Sequence, residues 1–127
     1  MNPKECKYTK GHTWVKVDGG TAIVGISDYA QQQLGKILFV EMVSVGKKVV
    51  QSQACGTVES DKATSDVMSP LSGDVVAVND EAVDAPELLN QDPYGKGWLI
   101  KVKVQDPKEL NALMTAQEFD KYLESKA

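Results

Sequence analysis

Arginine is absent from this chain. All 14 basic residues among its 127 are lysines, set against 18 acidic ones, for a formal charge of −4. Without a guanidinium fork, bidentate recognition of phosphates and base edges is lost, which argues against nucleic-acid binding. No apolar run is long enough to cross a bilayer, so no membrane span is expected. The N-terminus, Met1 to Cys6, has neither the apolar centre of a signal peptide nor the Arg/Ser-rich character of a transit peptide. A cytoplasmic protein is the simplest expectation, and a processed mitochondrial chain would look the same. The two cysteines, Cys6 and Cys55, fit no metal spacing and no Cys-x-x-Cys pair. Cys55 reads as a small buried hydrophobe and Cys6 as a free thiol in a polar leader; a cytoplasmic setting argues against a disulfide. Histidine occurs once, at His12, with no ligand set around it, so no metal site is expected. Nucleophile elbow, Cys/His pair and phosphate loop are all missing, which argues against an enzyme.

What is there is ordinary for a globular domain, 42% hydrophobic and 25% charged. The length suits one domain over residues 1–127, with a leader at 1–7 and helices over 106–127. Its organising stretch runs from Gly56 to Gly73. Cys55, Thr57 and Val58 precede Lys62, and Thr64, Val67 and Met68 follow it, while the small or polar Ser60, Asp61 and Ala63 surround it. That pattern predicts a β-hairpin with one lysine at its tip. A lysine so displayed can be found by a modifying enzyme and can swing whatever is attached to it. We read it as an attachment point. Residues 54–80 carry Glu59, Asp61, Asp66, Asp74 and Asp80 against Lys62 alone, a net −4 that acylation would take to −5. Such a lobe favours partners with basic docking surfaces.

Along the chain, strands at 14–17 and 21–24 flank the turn Asp18-Gly19-Gly20. Ser27 caps a helix through Leu34 that Gly35 ends. Ile37–Val40, the most apolar run, predicts a central strand, and Val49-Val50 a short one. Strands at 74–78 and 98–104 enclose a polar region with helical turns at 81–85 and from Pro86 to Leu89. Gly35 to Val40 and Gly73 to Val78 echo each other weakly, as two similar halves of a small flattened barrel or sandwich would. The tail predicts two helices: one begins at Asp106-Pro107, with Glu109 as the reciprocal acidic residue, and carries Leu110, Leu113 and Met114 on one face. The other has the capping box Thr115 to Glu118 and the stripe Ala116, Phe119, Tyr122, Leu123.

Taken together these motifs resemble the H proteins of the glycine cleavage system, the lipoyl carriers of that complex. The landmarks are His12 and Trp14, Val24 to Ala30, Gln33-Leu34-Gly35, Val58 to Asp66 around Lys62, Ser69 to Gly73, Asp92 to Gly95 and Gly97 to Ile100. The resemblance covers nearly the whole chain from Tyr8 onwards. It implies a mainly β fold, a barrel-sandwich hybrid of two antiparallel sheets, with the lipoyl hairpin at one end and C-terminal helices. It implies lipoate in amide linkage on Lys62, carrying an aminomethyl group and then reducing equivalents. The implied partners are a pyridoxal-phosphate glycine decarboxylase, a folate-dependent aminomethyltransferase, a flavin dihydrolipoyl dehydrogenase and the lipoylating enzymes. The protein itself would catalyse nothing. A monomer is expected, since a carrier must expose its hairpin to each partner in turn.

The same resemblance assigns roles by position. Glu59, with Ser60, Asp61, Ala63 and Gly73, belongs to what lipoylating enzymes read. His12 and Asp66 match residues at the cleft into which the loaded arm folds, and Thr13 occupies a third position of that cleft. Two positions depart from the family: Thr13 stands where a glutamate is usual, which bears on protection of the loaded amine. Asp61 stands where valine is common, and resembles instead the lipoyl domains of 2-oxoacid dehydrogenases. That leaves an alternative, an H-like lipoyl carrier for lipoate relay or another redox system. Biotin carriers place methionine on both sides of their lysine, unlike Asp61 and Ala63 here.

Overall fold

A computed structural model describes residues 3–126. Among these described residues nine strands form two antiparallel sheets. The strands are β1 (Lys7–Tyr8), β2 (Thr13–Asp18), β3 (Thr21–Ile26), β4 (Ile37–Met42), β5 (Lys48–Val49), β6 (Ala54–Ser60), β7 (Thr64–Met68), β8 (Gly73–Val78) and β9 (Ile100–Val104). One sheet has the order β1-β2-β3-β9-β8-β5, the other β4-β6-β7. Helices are α1 (Asp28–Leu34), α2 (Asp80–Asp84), α3 (Leu88–Gln91) and α4 (Ala116–Lys126); α2 lies against β4, α4 against β1, and α1 against α3. The two antiparallel sheets and the C-terminal helix are as the sequence implies.

The core lies between the sheets. Val15, Val24, Ile26 and Ile100 of the larger sheet pack with Val40, Val58 and Val67 of the smaller, and with Leu71 and Leu89 from the connections. Alternation along β3 and β9, which puts Ala22, Val24 and Ile26 and then Ile100 and Val102 inward, supplies much of this face, because successive side chains of a strand point to opposite sides. Cys55 is fully buried in that core, as expected. A second cluster joins the chain's two ends: Cys6, Tyr8 and Trp14 against Ala116 and Phe119. There the Tyr8 and Phe119 rings stack at 4.7 Å, and Tyr8 exchanges backbone hydrogen bonds of 2.8 and 2.9 Å with Met114.

Trp14 also fixes a distant loop. Its indole lies flat on Gly25, where a Cβ would come within 2.7 Å of three ring atoms, and its Nε1 donates to the Pro93 carbonyl at 3.0 Å. The neighbouring Tyr94 hydroxyl accepts from the Asp28 amide at 3.0 Å, and Ser27 Oγ accepts from Ala30 at 3.1 Å. Two otherwise unsatisfied donors at the start of α1 are thereby capped.

Several expectations need correction. Ile37–Val40 is an edge strand; β6 holds the centre of its sheet. A bulge between Ile37 and Phe39 breaks the two-residue alternation, so Leu38 and Phe39 are exposed while Ile37 and Val40 face the core. The echo between its two segments does not extend to position, since β8 is interior to the other sheet. The leader is shorter than expected: Cys6 is buried and Lys7 already lies in β1, because Tyr8 and Phe119 draw the chain inward. Met1 and Asn2 of that leader, and Ala127 of the tail, lie outside the described residues. The last sheet strand starts at Ile100 rather than Trp98. The first tail helix is a 3-10 segment, Pro107–Ala112, because Glu109 does not return to its own cap. Instead its carboxylate accepts from the Ser72 amide and hydroxyl, both at 2.8 Å. The second capping box forms as read, Thr115 and Glu118 exchanging bonds of 2.9 and 3.2 Å.

Candidate functional site

β6 and β7 form the expected hairpin, with Val58 opposite Ser65 and Glu59 opposite Thr64. Lys62 stands exposed at its tip, between the exposed Asp61 and Ala63. Ser60 turns inward and is buried. Its hydroxyl accepts from the amides of Lys62 at 3.2 Å and Ala63 at 3.1 Å, and the Ser60 amide donates to the Ala63 carbonyl at 2.8 Å. One small polar side chain thus satisfies the donors of the turn, and the lysine backbone is held while its amine remains in solvent.

The tip is braced from behind. The Asp61 amide donates to the Lys36 carbonyl at 3.1 Å. Gly35, at φ +82°, lies under the lysine: a Cβ there would stand 3.3 Å from Lys62 Cε and 3.1 Å from Asp61 Oδ1. Asn90 of α3 clamps this segment. Its Oδ1 accepts from the Ile37 amide at 2.9 Å, and its Nδ2 donates to the Gly35 carbonyl at 2.8 Å and to Gln31 Oε1 at 3.0 Å. Sequence reading missed Asn90. It follows two leucines in a four-residue helix, and its partners lie 53–59 residues away in the chain, so no local pattern marks it.

Beside the hairpin lies a cavity of about 170 Å³, and it brings together His12, Thr13 and Asp66. Apolar walls come from Ile26, Ala30 and Leu34 on one side and Val58 and Val67 on the other. His12 adopts φ +67°; its imidazole packs on Tyr29 at 5.0 Å and Phe119 at 6.0 Å between ring centres, and its carbonyl accepts from the Ser27 amide at 2.9 Å. Thr13 is buried, its Oγ1 2.7 Å from Thr9 Oγ1. Asp66, on β7, is exposed at the rim. Glu59 is exposed on β6, opposite Phe39 of β4. Gly73 is not part of the hairpin. It opens β8 in the other sheet, opposite Val49 and Val104, where a Cβ would run into the Lys103 carbonyl.

Comparison with known proteins matches the Glycine cleavage H-protein family model to residues 6–126. The chain belongs to the glycine cleavage H-protein family. A glycine cleavage system H protein from Halothermothrix orenii is 50% identical over 122 residues, covering 96% of this chain and 95% of that one. The mitochondrial H protein of Oryza sativa subsp. indica is 51% identical over 118 residues, 93% of this chain and 72% of that one. A crystal structure of the H protein from Mycobacterium marinum superposes with a TM-score of 0.86 at 37% identity, covering 96% of this chain and 98% of that chain.

H proteins are the carrier subunit of glycine cleavage, a lipoyl role that comes with the family, and the other components of that system are their partners. Among the described residues no helix is long and apolar enough to cross a membrane. Among them, too, no group of three or more His, Cys, Asp or Glu could hold a metal ion. Burial pushes the thiols upward, Cys6 to about 11 with Glu5 adding to the effect, and Cys55 to about 12. Both are free thiols. Neither is a nucleophile at neutral pH.

Proposed function

We propose that Lys62 is the lipoyl attachment residue, and that the arm it anchors serves the decarboxylase, aminomethyltransferase and dihydrolipoyl dehydrogenase of glycine cleavage. The observation that carries this reading is the exposed amine on a turn whose backbone is tied down by Ser60 and backed by Gly35. The surroundings fit the group. Acylation consumes the amine's charge and leaves a neutral tether, and Asp61 and Ala63 on either side leave room for an approaching enzyme. When attached, the dithiolane supplies the sulfurs that take up the aminomethyl group and then the reducing equivalents. The chain's own residues do the rest. Ser60 and the Asp61–Lys36 bond orient the anchor. Glu59, Asp61 and Ala63 are the outward features a lipoylating enzyme meets first. Gly73 acts at a distance, by letting β8 approach β9 closely.

The cavity holding His12, Thr13 and Asp66 is proposed as the resting place of the loaded arm. Its apolar walls suit a hydrocarbon chain and exclude water, and Asp66 offers a carboxylate to a cationic end group at the rim. Tethering raises the effective concentration of the carried group at each successive enzyme. In this reading the chain carries the group and catalysis belongs to the partner enzymes. One folded unit, acting as a monomer, suffices for this role.

The deciding experiment is intact mass measurement of the chain from cells with active lipoylation. A lipoyl-sized increment that disappears in Lys62→Arg supports the assignment, and bare chains alone refute it. Glycine decarboxylation reconstituted with the lipoylated chain then separates glycine cleavage from lipoate relay, since a relay carrier would be fully modified yet inactive.

A further inference from the structure

A groove of about 450 Å³ runs along β4, the edge strand of the three-stranded sheet, between it and α2. Its floor and walls include Phe39, Val43, Val45 and Val83. Three of these are left uncovered: Phe39 is 61% exposed, Val45 59% and Val83 38%. The charged groups lining it, Glu41 and Asp80, are both acidic. An aromatic with aliphatic neighbours and a rim of one charge sign is the composition of a protein interface, not of a solvated edge.

Its position says which partners reach it. β4 pairs with β6 so that Phe39 stands opposite Glu59, three residues before Lys62. The groove therefore begins beside the lysine hairpin and extends away from it along β4. An enzyme that receives an arm from Lys62 must cover the hairpin, and the surface next in line on this side is Phe39.

We infer that the groove between β4 and α2 docks a segment of a glycine cleavage enzyme that inserts an apolar side chain and flanks it with lysine or arginine. The apolar insertion removes Phe39, Val45 and Val83 from water, and the basic flanks meet Glu41 and Asp80. Burial of the apolar side chains supplies affinity, while the acidic rim selects partners and speeds encounter. The inference rests on the Lys62 assignment only for its choice of enzymes.

The test uses the full chain labelled with 15N and carrying Lys62→Arg, which accepts no arm. It is titrated in turn with the decarboxylase, the aminomethyltransferase and the dihydrolipoyl dehydrogenase. With at least one enzyme, amide resonances of residues 39–45 and 78–83 should shift or broaden. Phe39→Ser combined with Asp80→Lys should raise that dissociation constant by about tenfold or more, the loss expected for a central aromatic anchor. Val17→Ser, at an exposed valine of the other sheet, should leave it within about twofold, as surface substitutions outside an interface do. Added salt should weaken the unmodified groove and affect the charge-reversed one less. Perturbation confined to residues 59–66 with all three enzymes, or none anywhere, overturns the inference. Because this chain carries no arm, that result stands apart from the mass measurement that decides Lys62.

Discussion

Ser60 and Ala63 are joined by three hydrogen bonds across the hairpin turn: amide to carbonyl at 2.8 Å, hydroxyl to the same carbonyl at 3.1 Å, and the Ala63 amide to the hydroxyl at 3.1 Å. Ser60→Ala keeps the first and loses the rest, leaving the Lys62 and Ala63 amides without the hydroxyl. The expected loss is about 1–2 kcal/mol in urea unfolding. Lipoylation should show a KM for the chain raised roughly threefold to tenfold at nearly constant kcat, because the amine is unchanged but the anchor wanders.

Asn90→Ala removes three bonds at once from the segment behind Lys62. Two of the partners are backbone groups, of buried Ile37 and half-buried Gly35, so the cost should be about 2–4 kcal/mol. Hydrogen exchange checks the mechanism: the Asp61 amide, which bonds Lys36, should exchange faster than in the parent while amides of β2 and β3 change only in step with global stability.

Gly35→Ala places a Cβ at φ +82° and ψ −148°, a region open essentially to glycine, at a cost of about 1–3 kcal/mol. The nearest atom it meets is Asp61 Oδ1, and the next the flexible end of Lys62, so the lysine stem should yield rather than the backbone. Denaturant unfolding reads the strain, and time-resolved mass measurement of lipoylation reads the displaced amine.

Alkaline pH should destabilise the fold. Cys6 and Cys55 are raised by burial from 9.0 to about 11 and about 12, and Tyr94 from 10.0 to about 12, also by burial. Raised values mean that the neutral forms belong to the folded state. Their stabilising contribution is present below pH 9 and is lost as pH rises through the 9 to 12 window, where the unfolded chain ionises first. A thermal melting temperature that falls over that window, and falls less steeply in Cys55→Ala relative to its own neutral-pH value, is the expected result.

Thr13→Glu tests the cavity. The substitution puts a carboxylate into the wall now formed by Thr13 beside His12. Once the arm has been loaded by the decarboxylase, formaldehyde release to water should slow several-fold if this wall faces the cationic end, as expected for an added opposite charge at short range. An unchanged rate removes position 13 from that role.

Most of the sheet framework was legible because it is written locally. Gly19-Gly20, Ser27 with Gly35, and the alternation on either side of Lys62 each specify a turn, a cap or a strand within a few residues. The site's support was less legible because it is written at long range. Asn90 reaches Ile37, Trp14 reaches Pro93, and Glu109 reaches Ser72, and nothing in the neighbourhood of any of these residues announces the partner. The misread strand at Ile37–Val40 has the same origin. Hydrophobicity suggested a centre, whereas a bulge turns two of its four apolar residues outward. The cavity lay between these cases: His12, Thr13 and Asp66 could be named from the family's pattern, but their meeting in one space depends on how α1 and β7 fold together.

The stacking of Tyr8 on Phe119 has a practical corollary for handling this molecule. His12 sits between the first strand and the final helix, touching Phe119 and Tyr122, so the final helix shores up one wall of the cavity from outside. Trimming that helix, or fusing a bulky tag close to it, would therefore disturb a region far away in the sequence, and kinetic defects in such preparations should be traced to the tail before they are blamed on the arm.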